Sequence, residues 1–401
     1  MILNSSNSHL SRHVKSESIN IRFDDVASWI KDYALPYWFS VGVDRENGGF
    51  VEHLDLNAAN VGGEYKRTRA QARQIYCYSQ AALLNLHPQA EEAAAHGWRF
   101  LTDNARLADG AYARRLTPDG TVLDATCDAY DMAFVLFAHA WWYRVSGEAE
   151  VVRSALSALT ALNARLRHPN GLGWLAEEGD TGPRQQNPHM HMIEAAIELA
   201  DATGRSEFFE LACEILLLFR ERIIDEESGV LRELFAADWS PLDSPAGLLV
   251  EPGHQMEWAW ILNRAGPVLG VDASDLARAL YASAERYGVA KETGLTFDQV
   301  DIDGRVIAAS HRSWPQTEAL KANLAMLETD GLDTRERIGV CTRNLLDRYL
   351  DTTPRGVWID HLDARGEPMV DKIPSTTFYH LQLAFTELLR LRTRIEAFGA
   401  L

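Results

Sequence analysis

Cysteine is scarce in this chain: Cys77, Cys127, Cys213 and Cys341 are the only four in 401 residues, and no C-x-x-C pair occurs. Their dispersal excludes cysteine-ligated zinc and dithiol redox chemistry and reads as a reduced, cytoplasmic protein. No apolar run is long enough to cross a bilayer. Residues 1–20 lack the apolar centre of a secretory signal and read as a flexible leader. Glycine-rich phosphate loops are missing, so neither ATP nor NAD is predicted and no cofactor is expected. Basic residues are outnumbered: 39 Lys and Arg stand against 57 Asp and Glu, for a formal charge of −18. That charge repels phosphate backbones and anionic lipid, which excludes nucleic acid and membranes as partners. A small-molecule substrate is the partner left, with the chain a monomer or a homo-oligomer.

What the sequence does have is a repeat. Glycine-bearing segments rich in aromatic and β-branched residues begin at Gly49, Gly110, Gly171, Gly229, Gly294 and Gly356, at steps of 61, 61, 58, 65 and 62 residues. Several read as two short strands around a polar turn such as Asp119-Gly120 or Asp303-Gly304. Amphipathic stretches lie between them: 24–39, 64–85, 89–105, 124–145, 149–168, 187–203, 206–224, 252–265, 274–289, 313–328, 333–350 and 375–397. Helix pairs in series either stack as an open solenoid or close into a ring. Closure is favoured because the chain begins with one helix of a pair and ends with the other. Stretches such as 125–140, apolar on most faces, also suit an inner layer. The predicted fold is therefore all-α: a single (α/α)6 barrel over residues 21–401, with short β-hairpins in the loops at one end.

The same count applies to polar residues. Twenty to twenty-five residues beyond each glycine come Arg73, Tyr130, His191, His254, Glu318 and His380. Equivalent positions of a closed repeat share one height around the ring, so these six converge on one mouth. A packed core would hold aliphatic residues there instead. Prolines precede several of them (Pro188, Pro252, Pro315, Pro374), which places the polar residue in the first turns of a helix. A helix N-terminus disfavours imidazolium, so these histidines are expected to be neutral. Asn187 precedes His191, and Glu257 stands three residues after His254, where a carboxylate fixes the tautomer of an imidazole. Trp258, Trp260, Trp314 and Tyr379 offer flat faces suited to a sugar ring. His189 and His191 form an H-x-H pair, but residues two apart on a helix diverge by about 200°. No metal is expected from that pair, and a site made of three histidines from different repeats stays as the alternative.

The motifs RTRAQARQIYCYSQA (67–81), DATCDAYDMAF (124–134), NPHMHMIEA (187–195), PGHQMEWAWIL (252–262), HRSWPQTEALKA (311–322) and FYHLQLAF (378–385) resemble the N-acylglucosamine 2-epimerase superfamily over residues 24–395. The resemblance implies an (α/α)6 barrel in which His254 and His380 are the acid/base pair and Glu257 supports His254. It implies that His191 and Asn187 contact the sugar and help open its ring, and that Arg73 and Glu318 hold hydroxyls. Trp314 would line the pocket, and Tyr130 matches an aromatic position of the superfamily. Gln71-Ala72-Arg73 is similar to the T-x-A-R motif of its mannose and sulfoquinovose isomerases, whereas Arg69 stands where those carry tryptophan. The expected reaction is aldose–ketose isomerisation of D-mannose and D-fructose through an enediolate, with His380 carrying the proton. A sugar 2-epimerase is the alternative, followed by a glycoside hydrolase using Glu257 and Glu318 or a sugar-binding protein. Arg69, Arg114, Arg115 and Arg312 are the candidates for an anionic substituent.

Overall fold

The apolar stretches pack as an inner layer. The computed structural model describes residues 20–225 and 227–398, and the leader expected over 1–20 lies, apart from Asn20, outside them. An outer rod opens the chain, made of α1 (Phe23–Ser28) and α2 (Leu35–Val41) joined by the π-helical turn Trp29–Ala34. Inner and outer helices then alternate. They are α3 (Thr68–Leu83, inner), α4 (Ala90–Phe100, outer), α5 (Ala129–Ser146, inner), α6 (Ala149–Leu166, outer), α7 (Asn187–Thr203, inner) and α8 (Ser206–Leu218, outer). The series continues with α9 (Pro252–Leu269, inner), α10 (Ser274–Tyr287, outer), α11 (Ser313–Thr329, inner), α12 (Arg335–Asn344, outer) and α13 (Thr377–Arg390, inner), before the short α14 (Arg392–Ala397).

Each inner helix packs on the next, from α3 through α5, α7, α9 and α11 to α13, and α13 packs back on α3. The array is thus a closed ring rather than an open solenoid. α1 covers α13, so the first helix of the chain completes the last pair. No described helix is long and apolar enough to cross a membrane.

Where helix limits differ from the sequence reading, capping decides. The inner helix expected from 124 begins at Ala129, because Asp128 is extended and its side chain accepts the N–H of Asp131. The helix expected to stop at 265 runs through Pro267 to Leu269 and ends at Gly270, which is in the left-handed conformation.

All six glycines that open the hairpin segments have positive φ, between 67° and 96°. They turn the chain back on the end of the outer helix, as in the bridges Val43–Phe50, Arg106–Tyr112, Arg167–Trp174 and Val289–Thr296. Beyond these turns, strands of successive repeats pair with one another. Lys66–Arg67 lies against Arg115–Leu116, Arg184–Gln185 against Leu234–Phe235, Leu249–Val250 against Val300–Asp301, and His311–Arg312 against His361–Leu362. Asp128 bridges to Glu177 at the remaining junction, and His53–Leu54 pairs with Ile373–Pro374 to join the first repeat to the sixth. A belt of antiparallel pairs therefore runs round one end of the ring.

Side chains of the inner helices tie this belt down. Gln71 accepts the N–H of Phe50 (2.7 Å) and donates to its carbonyl (2.8 Å), and Gln316 does the same for Thr296 (2.8 and 2.9 Å). His189 holds the equivalent place: Nε2 accepts the N–H of Trp174 (3.1 Å), and Nδ1–H donates to the carbonyl of Gln185 (3.0 Å). Its role in the H-x-H pair is structural.

A Cβ at Gly229 would lie 2.3 Å from the carbonyl oxygen of Ala279, whereas a Cβ at Gly171 would meet nothing within 4 Å. Gly229→Ala is expected to lower stability by about 1–3 kcal/mol from clash and φ strain together, and Gly171→Ala by about 1 kcal/mol from strain alone. Urea midpoints of the two variants, compared with the parent, check the difference.

Candidate active site

A cavity of about 570 Å³ opens at the belted end of the ring. Eight of the nine residues singled out from the sequence line it: Arg73 of α3, Tyr130 of α5, Asn187 and His191 of α7, His254 and Glu257 of α9, Trp314 of α11, and His380 of α13. Glu318 does not. Its carboxylate sits fully buried behind His380, a partner of the imidazole rather than a lining group.

Helix starts explain the placement. Pro252 occupies the first turn of α9, where its missing N–H costs nothing, and His254 follows it. Gly253 between them permits the close approach of Trp314, since a Cβ there would stand 2.6 Å from the indole. The Trp314 ring consequently lies between two imidazoles, with centroids 4.9 Å from His254 and 5.8 Å from His380.

Each of the three histidines turns Nδ1–H to a different carboxylate. His254 donates to Glu233 at 2.9 Å, with Glu251 3.6 Å away. His380 donates to Glu318 at 2.8 Å. His191 donates to Glu194 at 3.2 Å, and Glu194 also accepts the hydroxyl of Tyr379 at 2.7 Å. The expected support of His254 by Glu257 is therefore not what forms. Glu233, reached across the hairpin, takes that place, because Glu257 on the helix points deeper into the ring towards Lys321.

The electrostatics of the histidines diverge. Burial lowers His191 to about 4, against the raising effect of Glu194. His380 lies well below its ordinary value, through burial first and then the positive charges of Arg73 and Lys321. His254 is the exception to the expected neutrality. Burial would lower it, but Glu233, Glu251 and Glu257 together raise it to about 9. Two acidic neighbours at contact range outweigh the partial charge of a helix N-terminus. At neutral pH the cavity therefore presents one imidazolium and one neutral imidazole on either side of Trp314.

Several buried polar atoms at this cavity have no hydrogen-bond partner among the described residues: Nε of Arg73, Oδ1 of Asn187 and both carboxylate oxygens of Glu257. Burial, then Glu318, raises the Glu257 carboxyl well above the usual range, which makes it a neutral acid able to donate. Arg73 donates to the hydroxyl of Tyr130 at 2.7 Å and stacks over Phe134 at 4.1 Å. These contacts hold its guanidinium in place while leaving donor capacity for a ligand.

Two overlapping sets, His191–Glu194–Glu257 and Glu257–Glu318–His380, have ligand atoms within 4.8 Å of one another. A cation already serves them: the ammonium of Lys321 is 2.5 Å from Glu318 and 3.9 Å from Glu257. The residues therefore fit a metal poorly. No group of three histidine nitrogens that close occurs among the described residues.

Of the other aromatic residues, Trp258 stacks on Phe219 at 4.0 Å and donates to Gln186, and Trp260 lies 4.2 Å beneath the Lys321 ammonium. Both are buried outside the cavity lining. Among the arginine candidates, Arg69 is paired with Asp131, Arg114 with Asp124 and Glu177, and Arg115 with Asp124.

Glu233, Glu194 and Lys321 escaped the sequence reading. The spacing rule applied to His254 would have found two of them, since Glu194 stands three residues after His191 and Lys321 three after Glu318. Glu233 carried no such local signal.

The family model for N-acylglucosamine 2-epimerase (GlcNAc 2-epimerase) matches residues 48–384. A protein named mannose-6-phosphate isomerase from Rhizobium meliloti (strain 1021) is 34% identical over 378 residues, covering 92% of this chain and 97% of that one. A protein named D-mannose isomerase from Pseudomonas cannabina pv. alisalensis is 26% identical over 400 residues, covering 88% and 92%. Among solved structures, cellobiose 2-epimerase from Bacillus thermoamylovorans B4167 superposes with a TM-score of 0.83 at 19% identity, covering 92% of this chain and 98% of that one; this likeness concerns the fold.

Titration of the histidine rings by NMR is expected to leave His191 and His380 neutral at pH 7 and to place His254 near 9. Glu233→Gln is expected to lower the His254 midpoint by more than about one unit. Because the folded value exceeds the ordinary 6.5, the stabilisation from Glu233 is fully present below about pH 6.5 and fades as pH rises through 9. Urea unfolding is thus expected to show a larger loss for Glu233→Gln at pH 6 than at pH 9.5.

Proposed function

Because this chain belongs to the N-acylglucosamine 2-epimerase family, we propose that it carries an aldose to its ketose, with D-mannose and D-fructose as the pair. The observation that carries this reading is the opposed protonation of His254 and His380 about one aromatic ring, in a cavity of monosaccharide scale. The relatives named mannose-6-phosphate isomerase and D-mannose isomerase favour isomerisation, and a relative named cellobiose 2-epimerase, 24% identical over 353 residues, supports 2-epimerisation as the alternative.

The chemistry follows from the side chains. His191 and Asn187 meet the sugar at the ring oxygen and the anomeric hydroxyl and assist opening. His380, with Nδ1–H tied to Glu318, offers the Nε2 lone pair and removes the proton on carbon 2. The electrons move into an enediolate whose oxygens are met by Arg73, by the neutral acid of Glu257 and by the imidazolium of His254. Returning the proton from His380 to carbon 1, while His254 gives a proton to oxygen 1 and takes the one on oxygen 2, yields the ketose. Delivery to carbon 2 from the opposite face would yield the 2-epimer instead.

A phosphorylated aldose is the second reading. Arg312 lines the cavity half-buried, and its guanidinium has no hydrogen-bond or ion-pair partner among the described residues, unlike the other three arginine candidates. Lys372 also lines the cavity. The name of the Rhizobium relative points the same way.

Incubated with mannose in heavy water and followed by proton NMR, the protein is expected to form fructose first, with deuterium at carbon 1; glucose as the first product overturns isomerisation. His380→Asn is expected to lower kcat by about 10³. If the substrate is phosphorylated, Arg312→Ala lowers kcat/KM for mannose 6-phosphate by about tenfold or more and leaves that for mannose unchanged.

A further inference from the structure

Among the described residues, Lys321 is the one fully buried lysine at the centre of the ring. It does not line the cavity, so it does not touch a bound sugar. An ammonium placed there without a partner would be strongly destabilising. The Glu318 carboxylate, with Oε2 at 2.5 Å, and the face of Trp260 at 4.2 Å supply the compensation, and the neutral acid of Glu257 lies 3.9 Å away. The other oxygen of Glu318 accepts Nδ1–H of His380 at 2.8 Å and the hydroxyl of Thr317 at 3.2 Å. Glu318 is thus shared, one oxygen facing an ammonium and the other an imidazole.

We propose that Lys321 is a positioning residue, which acts through Glu318 to hold His380 as the Nδ1–H tautomer with its Nε2 lone pair turned to the substrate. This rests on the reading of the cavity as an isomerase site. The physical reason is charge balance. A buried carboxylate whose one ionisable partner is an imidazole attracts a proton, and the imidazole becomes imidazolium. An imidazolium does not remove a proton from carbon. With the ammonium on its far side, Glu318 is already neutralised and His380 stays a base. The titratable and charged groups around His380 are Arg73 on α3, His191 and Glu194 on α7, Glu257 on α9, Glu318 with Lys321 on α11, and Tyr379 beside it on α13. Arg73 also disfavours imidazolium, but it lies on the cavity side, where substrate oxygens will share its charge. Lys321 is shielded from the sugar, so its effect persists through turnover.

The full-length chain carrying Lys321→Met, Glu318→Gln or both tests this, with mannose kinetics across pH and NMR titration of His380 without sugar. Lys321→Met is expected to raise the His380 midpoint by at least about one pH unit and to carry the acid limb of kcat/KM upward with it. Its plateau kcat is expected to fall about 30-fold with KM within about threefold. The double variant is expected to match Glu318→Gln in plateau kcat within about threefold, because both act through one carboxylate. A Lys321→Met protein whose His380 titration and kcat coincide with the parent overturns the proposal. So does a double variant about tenfold or more slower than Glu318→Gln, a comparison that stands even if Lys321→Met alone does not fold. Should the parent leave mannose unchanged, the isomerase reading fails, while the His380 titration still decides the role of Lys321.

Discussion

The site depends on closure of the ring. Its residues come from all six repeats, and the last of them, His380, reaches the first, Arg73, only because α13 packs on α3. That seam is specified in detail. Gln74 donates to the carbonyl of Ser375, Gln382 donates to that of Cys77, and Trp38 stacks on Trp358 at 4.9 Å. The strand pair His53–Leu54 with Ile373–Pro374 sets the register across it. In an open array the same sequence would place His380 and Arg73 at opposite ends of a solenoid, and the chemistry would not assemble.

Closure has an electrostatic consequence. It brings Glu194, Glu257 and Glu318 into one water-poor centre, where like charges cannot all remain ionised without compensation. The structure answers in two ways. A buried ammonium neutralises part of the charge, and Glu257 is left as a neutral acid. Outside this centre, Glu233 and Glu251 act on His254 alone and keep it charged. Two imidazoles that look equivalent in the repeat are thereby given opposite protonation states, which is what a reaction needing both an acid and a base demands. The conserved height around the ring supplies proximity; the carboxylates behind each ring supply the difference.

The repeat was legible in the sequence because it rests on local chemistry. Glycine is the residue that enters positive φ without penalty, so six glycines about 60 residues apart mark six turns whatever lies between them. Apolar periodicity marks helices, and a polar residue recurring at one phase of an otherwise apolar helix marks the face turned to a shared cavity. From these the closed ring and five of the cavity residues follow (Arg73, Tyr130, His191, His254 and His380), whereas Asn187, Glu257 and Trp314 are read from local context and the family resemblance. The same phase puts Glu318 at the mouth as a group that holds substrate hydroxyls, and the packing of α11 against α13 instead sets it behind His380 as the partner of the imidazole.

Sequence by itself therefore determined the periodic elements: where turns, helix starts and inward-facing polar groups fall, since each is set by residues within a few positions of one another. Tertiary structure alone decided the partnerships. Glu233 meets His254 from 21 residues away, and Glu318 meets His380 from 62. Neither spacing corresponds to a turn of any regular element. Those pairings fix the tautomer and charge of each imidazole, because a proton responds to the field of whatever the packing brings within a few ångströms, and that field is not written in any single stretch of chain.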